Sequence, residues 1–127
     1  MNLLQYICNE EAVNILKFVT LWLDADPELK QTMAQHRDSH LGSQAIHLAS
    51  ATGNHTMIQL LITQYGADVR QLNQNNQTVY HCASQRYEGI AAIFVFGYQY
   101  KLEVTATDAR GATALHFAAI SLLIKNV

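Results

Sequence analysis

Apolar residues recur along this chain in short helical stripes, separated by small clusters of polar residues and glycine. In the segment 57–62, apolar side chains stand one, three and four residues apart, a spacing that places them on one face of a helix. Gly53 and Asn54 precede that segment and indicate a turn between two antiparallel helices. Gly66 follows it, where glycine commonly ends a helix. The pattern predicts a unit made of a turn, a short helix, a second turn, a longer helix and a loop.

One motif occurs three times, each copy centred on the sequence His-x-Ala. The spacing is 34 residues from His47 to His81 and 35 residues from His81 to His116. A fixed period of this size is typical of stacked-repeat proteins, whose units bury their apolar faces against one another. The three copies are Gln44-Ala45-Ile46-His47-Leu48-Ala49-Ser50, Gln77-Thr78-Val79-Tyr80-His81-Cys82-Ala83-Ser84 and Ala112-Thr113-Ala114-Leu115-His116-Phe117-Ala118-Ala119.

A turn precedes each copy of the motif. It opens on Asp or Asn and closes on Gly or Asn, the residue types that best tolerate a positive φ angle. Thr78 and Thr113 follow two of these turns, and we expect them to cap the short helices. The opening and closing residues are Asp38 and Gly42, Asn73 and Asn76, and Asp108 and Gly111.

The unit resembles the ankyrin repeat, whose pattern is Asp-x-x-Gly-x-Thr-Pro-Leu-His-x-Ala-Ala, followed by Gly-His, an apolar helix and Gly-Ala-Asp. The third copy departs from it only at Ala114, where the family has proline, and the second departs at Asn76 and Val79 among others. An ordinary residue is tolerated in place of a proline at the first helical position. The resemblance implies an all-α fold, an ankyrin-repeat solenoid of stacked helix-turn-helix units with short hairpin-like loops.

The repeat register divides the chain into segments of one domain. We expect a degenerate N-terminal capping repeat at 1–37, ankyrin repeats at 38–72 and 73–107, and a truncated repeat at 108–127. The stretch 28–37 is longer than the later loops, so it is an insertion whose shape the sequence does not indicate. The truncated repeat lacks its longer helix, which leaves an apolar flank open. We therefore expect a fragment, or a flank covered by further repeats or by self-association.

The segment 93–104 carries two conflicting patterns. Aromatic and apolar residues alternate strictly along it, which is typical of a strand. The repeat register requires instead a helix up to about residue 96, followed by a loop. We give precedence to the register, with a strand as the alternative.

Composition narrows the possible classes of function. The chain has 127 residues, half of them hydrophobic, and a formal net charge of −2 with its eight Lys and Arg scattered. This balance favours neither nucleic acid nor an anionic membrane as the partner. Cys8 and Cys82 are too few for a disulfide scaffold, so we expect buried, reduced thiols. The N-terminus has no targeting signal, which favours the cytoplasm, with the nucleus not excluded.

The three repeated histidines invite a hypothesis of metal binding or acid–base chemistry. Their recurrence at one position of the unit favours a structural role, in which each imidazole bonds backbone groups of its own turn and of the neighbouring one. Zinc would require three or four converging ligands, and no accompanying ligand pattern is present. Cys82 stands where the other copies have large apolar residues, which indicates a core position. We expect no catalytic residue, no cofactor, no metal and no enzymatic activity.

The ankyrin resemblance implies that a partner contacts the turn tips and the exposed side of the short helices, which together line a concave groove. We therefore predict a protein–protein interaction module that binds another protein or an extended peptide. Arg86 is the best single candidate for an anchor, because arginine is enriched among interface hot spots. The predicted groove residues are Ser39, His40, Ser43, Thr52, Gln74, Asn75, Gln77, Gln85, Arg86, Ala109, Arg110 and Ala112. The alternative is a recruiting or regulatory ankyrin domain of a larger enzyme, such as an ankyrin-bearing protein-acyltransferase.

Overall fold

The computed structural model describes residues 2–10, 12–39, 41–52, 55–84 and 105–125, and these contain seven α-helices and no strand. The all-α prediction is confirmed. The segment 93–104 lies outside the described residues, so its assignment stays a prediction. None of the described helices has both the length and the apolar character needed to cross a membrane. The helices are α1 (Leu3–Asn9), α2 (Val13–Trp22), α3 (Pro27–Gln35), α4 (Ala45–Thr52), α5 (His55–Gln64), α6 (Val79–Ser84) and α7 (Ala114–Lys125).

Helix α1 begins with a capping box and carries an unusual buried amide. The Asn2 side chain accepts from the backbone N–H of Gln5 at 2.9 Å, and the Gln5 side chain accepts from the backbone N–H of Asn2 at 3.0 Å. The fully buried Gln5 amide also donates to the carbonyl oxygens of His36 and Ser43, at 2.8 and 2.9 Å. These bonds attach α1 to the chain that leads into α4.

Helix α2 packs on α1 and on α5, and it meets α5 through one buried polar pair. Leu16 and Val19 are in the core. The hydroxyl of Thr20 donates to the carbonyl of Leu16 at 2.7 Å and lies 2.9 Å from the hydroxyl of Tyr65. Since the Thr20 proton is already used, Tyr65 is the donor of the second bond. Burial raises the pKa of Tyr65, so this donor stays protonated near neutral pH.

The insertion that the sequence left undefined forms helix α3, which packs against α1 and α4. Its start is well specified: Asp26 accepts from the backbone N–H of Leu29 at 3.1 Å, and Pro27 occupies the first helical turn. Lys30 is buried, with its Nζ 3.4 Å from Asp24 Oδ1 and 5.8 Å from the centre of the Tyr65 ring. This helix fills the space beside the first two units.

The short helices form a continuous stack in which α1 packs on α4, α4 on α6 and α6 on α7. In the repeat 38–72 helix α4 ends at Thr52, whereas in the segment 108–127 the corresponding positions lie inside α7, which continues to Lys125. Leu115 and Ile120 on α7 are 76% and 54% exposed, as expected for an open flank. The core residues that these stacked helices contribute include Leu4, Ile46, Ala49, Val79, Tyr80, Ala83 and Ala114.

Candidate functional site

The three turns share one hydrogen-bonding pattern, with the first turn one residue longer than the other two. The side-chain oxygen of the opening Asp or Asn accepts two backbone N–H bonds from residues further along its own turn. The bonds run to Asp38 from Leu41 and Ser43 at 3.0 and 3.2 Å, to Asn73 from Asn75 and Gln77 at 2.9 and 3.0 Å, and to Asp108 from Arg110 and Ala112 at 2.9 Å each.

The closing residues of the turns have the left-handed backbone that the sequence predicts. The φ angles are +63° at Gly42, +55° at Asn76 and +80° at Gly111. Asp108 shows the electrostatic effect of such a turn: the backbone N–H of Ala112, helped by that of Arg110, lowers the pKa of its carboxyl. The turns are therefore specified by local chemistry and do not need a ligand to form.

Neighbouring turns are bonded to each other at their tips. The backbone N–H of Gln74 donates to the carbonyl of Leu41 at 2.8 Å, and that of Ala109 donates to the carbonyl of Asn75 at the same distance. Because equivalent atoms are joined in both cases, the three tips form a row of fixed spacing. A partner that lies along the row would meet a preorganised surface.

His47 connects the start of its own helix with the loop that ends the same repeat. Its Nδ1 accepts from the backbone N–H of Gln44 at 2.9 Å, and its Nε2 lies 2.9 Å from the carbonyl oxygen of Gln71. A carbonyl can only accept, so Nε2 carries the proton and the ring is neutral. Burial lowers the pKa of His47, which is consistent with this neutral form.

His81 repeats the first of these bonds, with Nδ1 accepting from the backbone N–H of Thr78 at 3.0 Å, but its Nε2 donates to the carbonyl of Ala112 in the next turn, at 2.8 Å. Thr78 directly precedes α6, and its hydroxyl lies 3.4 Å from the backbone nitrogen of His81, as expected for a helix cap. In the third copy, the backbone N–H of Thr113 donates to His116 Nδ1 at 2.9 Å. The structural role predicted for these histidines is confirmed for His47 and His81, although only His81 makes the predicted bond to the neighbouring turn and His47 bonds Gln71 in its own repeat.

The predicted groove residues fall into three groups in the structure. Ser39, Gln74, Asn75, Ala109 and Arg110 are exposed on the turns, and Ala112 is half-buried. His40, Gln85 and Arg86 lie outside the described residues, so the role of Arg86 stays a prediction. The remaining three, which were expected on the groove surface, are buried: Ser43, Thr52 and Gln77.

The buried members of the set are bonded inside the fold. The Gln77 side chain accepts from the Asn73 amide at 2.8 Å, and the Thr52 hydroxyl donates to the carbonyl of Ala49 at 2.9 Å. The carbonyl oxygen of the buried Ser43 accepts a hydrogen bond from the side-chain amide of Gln5. Their polar atoms therefore shape the turns and helix ends, and they offer little side-chain surface to a partner.

A polar cavity of about 430 Å³ lies between α3 and the loop that follows α5. Its one cation, Arg37, is already engaged: the guanidinium donates to the carbonyls of Gly42 and Leu72 at 2.8 and 2.6 Å and to the Gln71 side chain at 2.9 Å. Sequence reasoning missed this cavity because it depends on α3. The lining residues are Gln31, Ala34, Gln35, Arg37, Gln44, Gly66, Ala67, Asp68 and Gln71.

The cysteines offer no reactive centre. Cys8 and Cys82 are both free and buried, as predicted, and burial raises the pKa of each thiol to about 12. A thiol of that pKa is a poor nucleophile at neutral pH. Among the described residues, no three His, Cys, Asp or Glu side chains are grouped as ligands for a metal ion.

Comparison with known proteins agrees with this geometry. The family model described as ankyrin repeats in three copies matches residues 3–100 and 46–126. The chain belongs to the ankyrin-repeat family. Members of this family are generally non-catalytic, and their repeats serve as protein-interaction modules.

The ankyrin-repeat fold of the chain also has a relative among solved structures. A chain of the crystal structure of the yeast ribosomal protein Rps3 in complex with its chaperone Yar1 is similar, with a TM-score of 0.75 over 96% of this chain and 84% of that chain. The two sequences are 20% identical, so this likeness shows the fold alone. No curated protein matches the sequence.

Proposed function

We propose that this ankyrin-repeat chain binds another protein, or an extended peptide of one, through the concave groove formed by its turn tips and short helices. The row of turn tips carries the proposal. Two equivalent backbone bonds, from Gln74 to Leu41 and from Ala109 to Asn75, hold the tips at fixed spacing. A surface that is ordered before binding loses less conformational entropy when a partner docks.

The exposed tips have the chemistry of a peptide-binding surface. Gln74 and Asn75 each offer both a donor and an acceptor, as does the hydroxyl of Ser39, and backbone amides need both. Arg110 adds the one exposed cation of this set, which can bind a carboxylate in a two-point contact. These residues favour an extended, mainly neutral segment with one acidic side chain. The similar chain in the Rps3–Yar1 structure supports a protein as the class of partner.

Peptide selection tests the proposal directly, because it does not require the partner to be identified first. A library of random peptides of about 12 residues, long enough to span the tips when extended, is selected against the purified chain, and affinities are measured by isothermal titration calorimetry. We expect the Arg110→Ala variant and the combined Gln74→Ala, Asn75→Ala variant each to weaken binding about tenfold.

The control is Gln64→Ala, an exposed polar residue at the end of α5, away from the turn tips. Its affinity should equal that of the unchanged chain, and circular dichroism should be the same for all variants. Selected peptides that bind all three variants equally well would contradict the groove proposal, as would a selection that yields no binder.

A further inference from the structure

Helix α2 carries a stripe of large apolar side chains that the fold does not use. Ile15, Phe18 and Trp22 are 55%, 64% and 80% exposed, and their spacing of three and four residues places them on one helix face. The rings of Phe18 and Trp22 form a tilted pair with centroids 6.1 Å apart. Thr20, which meets Tyr65 of the second unit, lies on roughly the opposite face.

Helix α1 packs on α2 and adds to this surface. Leu3 and Tyr6 are 56% and 59% exposed and stand one helical turn apart, whereas Leu4 and Ile7 face the core. A globular domain rarely leaves so many large apolar groups together at its surface unless they bind something. We refer to Leu3, Tyr6, Ile15, Phe18 and Trp22 as the α1–α2 patch.

Acidic residues border α2 at both ends. Glu10 precedes the helix, and Asp24 and Glu28 follow it, all of them exposed. Residues 1–30 contain five carboxylates and two cations, Lys17 and Lys30, so their formal net charge is −3, whereas that of the whole chain is −2. Lys30 lies beside Asp24. The negative charge of the chain is therefore concentrated around the patch.

We propose that the α1–α2 patch is a docking site for a basic amphipathic helix of a partner protein. The apolar face of that helix packs on Ile15, Phe18 and Trp22, and its lysines and arginines face Glu10 and Glu28 at the two ends. The stripe from Ile15 to Trp22 runs along about 11 Å of α2, which two turns of a partner helix cover. This site is separate from the turn tips, so it goes beyond the groove proposal.

The acidic residues that border α2 favour a basic helix over two other possible occupants, a membrane surface and a second copy of the chain. An anionic membrane surface would be repelled by the carboxylates at both ends of α2. A second copy of the chain, docked patch against patch, would place two acidic borders side by side, and like charges oppose such a contact. A basic helix is favoured because it covers the apolar stripe and its positive charge neutralises the acidic residues at the border.

Trp22 is the only tryptophan of the chain, so its fluorescence reports directly on the patch. The probe is a peptide of about 15 residues with leucine at helical spacing and lysine elsewhere. A matched peptide has glutamate in place of lysine. We expect a saturable blue shift of Trp22 emission with the lysine peptide and none with the glutamate peptide. Raising the salt from about 50 mM to about 500 mM should weaken binding, since salt screens exposed charges.

Variants separate the apolar and the acidic contributions. Phe18→Ala should weaken binding of the lysine peptide about tenfold, because aromatic residues dominate such contacts. Combined Glu10→Gln and Glu28→Gln should weaken binding and reduce its dependence on salt. The matched control is Leu115→Ala, which removes an even more exposed apolar side chain from α7 and should change nothing.

Four results would overturn the proposal. Equal binding of the two peptides, or binding that Phe18→Ala leaves unchanged, would show that the patch does not select a basic helix. A dimer in sedimentation equilibrium that Phe18→Ala abolishes would assign the patch to a second copy. A blue shift with anionic lipid vesicles but not with the lysine peptide would assign it to a membrane surface.

Discussion

Nε2 of His81 lies 2.8 Å from the carbonyl oxygen of Ala112, which belongs to the turn of the following unit. Because Nδ1 of the same ring accepts from the backbone N–H of Thr78, the imidazole joins the start of its own helix to the next turn. His47 accepts an equivalent bond from the backbone N–H of Gln44, but its Nε2 bonds Gln71 in the loop that ends its own repeat. His81 is thus the motif histidine that couples its unit to the next one.

Replacing the buried histidine of the repeat 73–107 should destabilise the stack. His81→Ala leaves the N–H of Thr78 and the carbonyl of Ala112 without their partner, and we expect the free energy of unfolding to fall by about 2–4 kcal/mol. The matched variant His116→Ala removes an exposed ring and should cost less than about 1 kcal/mol. Urea denaturation followed by circular dichroism measures both, and equal losses would contradict the coupling role of His81.

Glycine at the end of the first turn should be more sensitive to replacement than glycine at the end of the third. Both have positive φ, so alanine costs about 1–2 kcal/mol of backbone strain at either position. A Cβ at Gly42 would also lie 2.6 Å from Cγ of Gln74, whereas at Gly111 it would meet open space. We expect Gly42→Ala to be the more destabilising variant in urea denaturation.

The Gln74→Ala background provides the control for that comparison. Removing the Gln74 side chain should relieve the close contact, so that Gly42→Ala then costs about as much as Gly111→Ala. If the difference between the two glycine variants persists in this background, the contact with Gln74 is not its cause.

Acidification should destabilise the protein through His47. In the folded state, burial lowers the pKa of His47 below its usual value of 6.5. At a pH between the lowered value and 6.5, the unfolded chain therefore binds more protons than the folded chain. The stability that His47 contributes is therefore complete above about pH 6.5 and is lost as the pH falls through that window. Urea midpoints at about pH 7.5, 6.5 and 5.5 should decline in that order.

Two further measurements attribute the decline to His47. In His47→Gln the midpoints should depend less on pH over the same range, even though the variant is less stable overall. NMR titration of the imidazole C2 proton of His47 should give a midpoint below 6.5. A midpoint at or above 6.5 would contradict the assigned cause.

Much of the fold could be predicted from the sequence because the turns and helix starts are specified locally. Positive φ at Gly42 and Asn76 follows from residue type, and the bonds of His47 follow from its fixed place in a repeated motif. Helix α3 was missed although Asp26 and Pro27 form a start signal. Its Lys30 is buried only because Asp24 and the Tyr65 ring come together around it, and no local pattern indicates that meeting.

The candidate binding surface was predicted less accurately, because polarity alone does not decide exposure. Gln77 and Thr52 are polar and stand beside exposed turn residues, yet both are buried. Their hydrogen bonds are completed inside the fold, by Asn73 and by the carbonyl of Ala49, so burial costs them little. Gln74 and Arg110 form the turn hydrogen bonds described above through their backbone N–H groups, and both residues are exposed as predicted.

The sequence by itself determined the repeating unit, its period and the bond that each motif histidine accepts at the start of its helix, because these depend on backbone angles and on bonds between residues close in the chain. Only the tertiary structure decided which apolar face of α2 is covered. Periodicity shows that Leu16 and Phe18 lie on different faces, but not which face meets α1 and α5. In the part of the chain that the structure describes, packing against α1 and α5 buries Leu16 and leaves Phe18 and Trp22 exposed. That outcome depends on contacts between distant segments, which the local sequence does not specify.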